Sequence, residues 1–153
     1  MGNQVLGNSP YNSELEYSLR AVIILAELEY PMTLERLVSY DFISVYPSAF
    51  GLEGNNIHGE NKLKFSEFPS RRVMMKKAVD DLVFRGLAEL SATINGYKYS
   101  ISPDGIVFAE KLNNSYSHDL RLNVIRTDEA FFNLDDVSIA KLINEKAIGT
   151  LEN

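Results

Sequence analysis

Between residues 70 and 105 the chain carries, in order, a helical apolar period, a glycine stop, a hairpin signal and a second helix start. Val73, Met74, Met75, Ala78, Val79, Leu82 and Val83 recur at helical spacing, and Gly86 supplies a left-handed C-terminal stop. Residues 87–93 and 97–101 then flank Asn95-Gly96, the strongest short-range hairpin signal. Ser102-Pro103 follows with an N-cap and a first-turn proline. A helix, a hairpin and another helix in this order predict a winged-helix-like core. The question then becomes what the hairpin and its helix touch.

The flanking segments predict a mainly α domain, with this small β-hairpin and extra C-terminal helices. Ser13 and Glu16 form a capping box that opens a helix running to about Glu29, ahead of Pro31. Leu15, Leu19, Val22, Ile23 and Ala26 make one apolar stripe on it. Tyr17, Ala21, Ile24, Leu25 and Leu28 cover much of the rest, leaving Glu16, Arg20 and Glu27 as a thin polar strip. So apolar a helix is covered on two sides, by this chain or by a partner. Thr33 caps a second helix that ends at Tyr46-Pro47. Residues 47–68 then lack periodicity, a long loop of the kind that is usually functional or disordered. A helix is expected from Pro103 to about Asn114, one capped by Ser115 or Ser117, and a last one opened by Asp135-Asp136. The resulting division is a flexible arm (1–12), a winged-helix-like domain (13–132) and a C-terminal helix and tail (133–153).

Composition narrows the function. The 153 residues include no cysteine, which excludes disulfides, zinc knuckles and thiol catalysis and points to a cytoplasmic address. The longest apolar run, residues 21–26, is far too short for a membrane span. A net charge of −6 argues against nucleic-acid binding over the whole surface, since phosphate binding is driven by Lys and Arg. A local basic patch remains: Arg71, Arg72 and Lys76 on the hairpin-bearing helix, with Lys98 in the second strand, are the candidate DNA contacts. On the same helix, Val73, Lys77, Asp80 and Phe84 line the face away from the core. That mixed stripe suits a protein partner better than a DNA groove. The candidate partner contacts are therefore Val73, Lys77 and Phe84, with Tyr17, Ile24 and Leu28 on the first helix and His58 in the long loop.

No catalytic constellation is visible. His58 and His118 stand in no metal-ligand spacing, no phosphate loop is present, and no cofactor is implied. His58 beside Glu60 reads as a solvated loop histidine ahead of a catalytic base.

Several segments together resemble a known family. These are Leu19-Arg20 leading an apolar helix, Leu37-Val38-Ser39-Tyr40-Asp41, and Asn56-Ile57-His58 in a glycine-rich loop. Arg71-Arg72, Gly86 between Arg85 and Leu87, and the tyrosine-bearing hairpin continue the match. Over residues 14–132 the chain resembles the middle component of ABC-three-component systems, which is similar to the small subunit of Lamassu-type anti-phage and anti-plasmid defence complexes. The resemblance implies a noncatalytic adaptor that works with an SMC- or Rad50-like ATPase subunit and an effector subunit, commonly a nuclease. It also implies assistance in sensing invading double-stranded DNA, and no membrane role. The alternative is a winged-helix transcription regulator that binds duplex DNA itself.

Overall fold

A computed structural model describes residues 13–59 and 64–152. Its order is α1 (Glu14–Leu28), α2 (Leu34–Val45), α3 (Phe68–Phe84), β1 (Ala88–Thr93), β2 (Gly96–Ile101), α4 (Pro103–Glu110), α5 (Ser115–Phe131) and α6 (Asp136–Glu152). The protein is mainly helical with one two-stranded antiparallel sheet.

Local chemistry fixes the helix ends. Ser13 Oγ accepts from the Glu16 backbone N–H at 3.2 Å, and Thr33 Oγ1 accepts from that of Arg36 at 3.1 Å. Ser102 Oγ caps α4 through the Gly105 N–H at 3.0 Å. Asn114, not a serine, caps α5, its side chain accepting from Ser117 N–H at 2.9 Å. Helix α4 stops at Glu110, four residues short of the expected end, and α3 starts at Phe68 directly after a 3₁₀ turn, Lys64–Glu67.

Helix α1 is the axis of the core, packed by α2, α3, α4 and α5. Tyr17 and every residue from Arg20 through Leu25 are buried. Burying an aliphatic side chain such as Ile23, Ile24 or Leu25 contributes about 1.5–3 kcal/mol. This chain therefore covers the second face of α1 itself. Tyr17 and Ile24 are sealed in the core, and Leu28 packs half-buried against it, so the first helix offers no such partner surface.

The region after α2 is packed, not structureless. Pro47–Phe50 forms a 3₁₀ turn whose Phe50 meets Phe42 edge-on at 6.0 Å. Asn56 Oδ1 accepts from the Ser48 N–H at 3.2 Å, and Ile57 N–H reaches Val45 O at 2.9 Å. Asn123 of α5 donates to the carbonyls of Ser44 and Asn55, at 2.9 and 2.8 Å. Phe65 and Phe68 close on Phe42 from the other end, at 5.5 and 5.1 Å. Residues 47–59 and 64–68 of the expected loop thus cover the aromatic end of the core. Glu60 and the 1–12 arm lie outside the described residues.

In the hairpin the strands pair from Ala88↔Ile101 to Thr93↔Gly96, so Ile94-Asn95 is the loop and Gly96 opens β2. Gly96 has a positive φ there (105°), a conformation glycine adopts without a Cβ penalty. The glycine is thus the first paired residue of β2, opposite Thr93, and not a residue of the loop. Met32, between α1 and α2, adds a one-residue bridge to Tyr99, with both backbone hydrogen bonds at 2.8 Å.

Gly105 seats α4 on this unit. A Cβ at that position would lie 2.0 Å from Leu87 O and 2.6 Å from Ile101 Cδ1. Gly105→Ala should therefore destabilise the fold by about 1–3 kcal/mol, read as a lower urea midpoint. Gly149→Ala on α6, where nothing stands within 4 Å, should be neutral or stabilising by up to about 1 kcal/mol.

Candidate functional site

The polar residues of α1, α2 and α3 meet inside the protein. Asp41, fully buried, accepts from Arg20 Nε on Oδ1 at 2.5 Å and from Arg71 Nη1 on Oδ2 at 2.5 Å. Both arginines are fully buried as well. Their guanidiniums lie over aromatic rings: Arg20 on Tyr17 at 4.6 Å, and Arg71 near Phe42 at 5.1 Å and Tyr17 at 5.7 Å. Burial alone would raise the Asp41 carboxyl, but the Arg20 and Arg71 charges outweigh it and hold it below its ordinary 3.8.

Glu16 extends the cluster outward. Its Oε2 accepts from Arg20 Nη1 at 2.7 Å and from the Tyr116 hydroxyl, and it pairs with His58 Nε2 at 2.9 Å. His58 also meets the Tyr46 ring edge-on at 5.9 Å. The expected solvated, partner-facing histidine is in fact a latch, its side chain 3% exposed, that ties the cover to α1. Arg71, expected to reach phosphate, is spent in the core on Asp41.

A second network joins α2, α5 and α6. Asp128 Oδ1 accepts from the hydroxyls of Tyr30 and Tyr40, at 2.6 and 2.8 Å. Burial, followed by the hydrogen bond to Asp128, pushes the Tyr30 phenol up to about 12. Arg36 donates to Asp136 at 2.8 Å and to the Leu134 carbonyl at 2.5 Å, while Thr33 donates to Asp136 at 2.6 Å. Tyr30, Thr33, Arg36 and Asp136 of the second network line an open groove, where Thr33 and Arg36 are already bonded to Asp136. Among the described residues no three His, Asp or Glu side chains come together as a metal site.

The outer surface of α3 and the hairpin is a different matter. Phe84 is 90% exposed and Val73 57%, with Lys77 exposed between them. Asp80, on the same stripe, pairs with Lys76 and accepts from the Tyr99 hydroxyl at 2.8 Å, which pins the hairpin to the helix. Burial would raise the Asp80 carboxyl, yet the Lys76 and Tyr99 hydrogen bonds hold it below 3.8.

The other basic candidates do not converge. Arg72 is exposed but pairs with Glu35 at 2.8 Å. Lys98 alternates with Tyr99 along β2, so it leaves the face that meets α3; it lines a groove of about 500 Å³ with Arg36, Phe132 and Val137. Sequence reasoning missed Asp41, Asp80, Tyr99 and Asp128 as organising residues. The available signal was Arg20, a charge directly preceding the apolar run of residues 21–26.

A family model described as ABC-three component (ABC-3C) system Middle Component 2 matches residues 10–153. No curated protein and no solved structure matches the chain.

The buried triad has a measurable acid signature. Because the folded Asp41 carboxyl titrates below its unfolded value, its stabilisation is present above the ordinary carboxylate range and is lost as pH falls through the folded value. Asp41→Asn leaves two buried cations short of their counter-charge. It should cost about 3–5 kcal/mol at pH 7 and flatten the acid limb of a urea-denaturation series below pH 4.

Proposed function

The chain belongs to the ABC-three component system Middle Component 2 family, and on that premise we propose that it is the noncatalytic docking subunit of its complex. As an accessory subunit of such a system it works with the other components. In our reading those are an SMC- or Rad50-like ATPase and an effector, commonly a nuclease, as in the Lamassu-type complexes its sequence resembles. It bridges the two while the assembly senses double-stranded DNA.

One observation carries this reading. The core is closed and its charges are paired inside, yet α3 turns Val73, Lys77 and Phe84 outward as an apolar stripe with one cation. A nearly fully exposed phenylalanine on a folded helix marks an interaction face when other large apolar groups accompany it. We read α1–α3 and the hairpin as a winged-helix-like unit whose recognition face meets protein. The mixed stripe and the Lys76–Asp80 pair both suit that role.

The regulator reading retains Arg72, Lys76 and Lys98 as accessible cations. It loses Arg71 to the core, and two of the remaining three are paired with Glu35 and Asp80. Direct, sequence-specific DNA binding by the isolated chain is therefore the weaker reading.

Co-expression with the other components of its system tests the proposal. The tagged chain should retain them through size exclusion. Val73→Asp with Phe84→Asp should weaken retention at least tenfold, about 1.4 kcal/mol, while the far-UV spectrum and melting midpoint stay close to wild type. Retention unchanged by both substitutions would sink this surface. A chain that retains no component but binds duplex DNA with a steep salt dependence would favour the regulator.

A further inference from the structure

The hairpin has one partnered edge and one open edge, and the hydrogen-bond parity says which backbone groups the open edge offers. Ser102 N–H donates to Leu87 O at 3.2 Å, so Leu87 and Ser102 form a hydrogen-bonded pair. Antiparallel ladders alternate, so Leu90 opposite Tyr99 and Ala92 opposite Tyr97 are non-hydrogen-bonded pairs. The Met32 bridge confirms the parity from the other side: Tyr99 turns both its N–H and its C=O away from β1, onto Met32. By the same alternation Leu90 and Ala92 turn their N–H and C=O groups away from β2. No strand lies on that side among the described residues.

The side chains of the open strand are patterned as well. Leu90 and Ala92 share the face of Tyr97 and Tyr99, and Leu90 is 46% exposed. Every residue of β1 after Ala88 is exposed. Glu89, on the opposite face, is the only charge in the strand. The edge carries no lysine or proline, and among the described residues no element pairs with it, so these devices against strand addition are missing there.

We propose that β1 accepts an extended strand from another component of the complex, adding a third full strand to the sheet. The incoming segment places apolar side chains beside Leu90 and Ala92 at alternate positions, and a basic side chain across from Glu89. Charge selects this occupant over a second copy of the same chain. Each copy carries −6, so self-pairing brings like charges together, whereas a basic strand is attracted both by the net charge and by Glu89. The proposal rests on the docking-subunit reading and names the chemistry of its partner.

A proline tests the edge without touching the hairpin, because the Ala92 N–H is not part of the β1–β2 ladder. The full chain is co-expressed with the other components of its system as wild type, Ala92→Pro, Ala92→Val and Glu89→Lys. Retention is measured by quantitative pull-down, and hydrogen exchange is followed at the Leu90 and Ala92 amides, free and in complex. Ala92→Pro should lower retention at least tenfold with a melting midpoint within a few degrees of wild type. Ala92→Val should retain the partner, Glu89→Lys should lose several-fold, and both wild-type amides should become protected in the complex.

A complex that forms undiminished with Ala92→Pro and leaves these amides unprotected overturns strand addition while the docking reading stands. A wild-type chain that retains no component overturns the docking reading itself. An isolated chain that is dimeric by light scattering, and made monomeric by Ala92→Pro, shows self-pairing and overturns the assigned occupant.

Discussion

Everything in the three-helix core is arranged around a single carboxylate. Asp41 stands between Arg20 and Arg71 with no exposure to water, each arginine is stacked near aromatic rings, and Glu16 takes up the outer donors of Arg20. Charges buried in this way are stabilising only as a set. The desolvation of each ion is several kcal/mol, and it is recovered only when the geometry satisfies all of them together. The network thus specifies which helix faces meet: α1, α2 and α3 pack in the one register that brings residues 20, 41 and 71 together. Apolar burial supplies the driving force, and the ionic cluster selects the arrangement.

The outside follows from this inside. With Arg71 committed to the core, the hairpin-bearing helix keeps fewer free cations than its sequence suggests. Its solvent face carries Val73, Lys77 and Phe84 beside the ion-paired Arg72, Lys76 and Asp80. Asp80 then serves as the anchor that Tyr99 uses to hold the hairpin on α3, so helix and hairpin present one continuous surface. The open β1 edge belongs to the same hairpin, so the docking role proposed above draws on both features.

Much of the fold was legible in the sequence, because its determinants are local. Ser13, Thr33, Ser102 and the Asp135-Asp136 step announce helix starts through backbone capping, and the hairpin follows from a glycine-bearing turn between two short strands. The candidate surface was half legible: Val73, Lys77 and Phe84 are where a helical wheel puts them. What failed was the assumption that charge means solvent. The side chains of Arg20, Arg71 and His58 are all buried, and their partners lie 21, 30 and 42 positions away in the chain, where no periodicity can reveal them. The same blindness made residues 47–59 look unstructured, since their order comes from contacts with α1, α2 and α5 and not from their own pattern.

The span of the buried network also bears on how the chain can fold during synthesis. Glu16 meets Tyr116 across 100 positions, and Asp41 has only one of its arginines until residue 71 has been made. An emerging N-terminal half would carry an apolar α1 and an under-compensated buried ion, so it has no stable resting point of its own. Loop closure over such distances is paid for before the contacts repay it. The buried network is therefore complete only when the chain through Tyr116 is present.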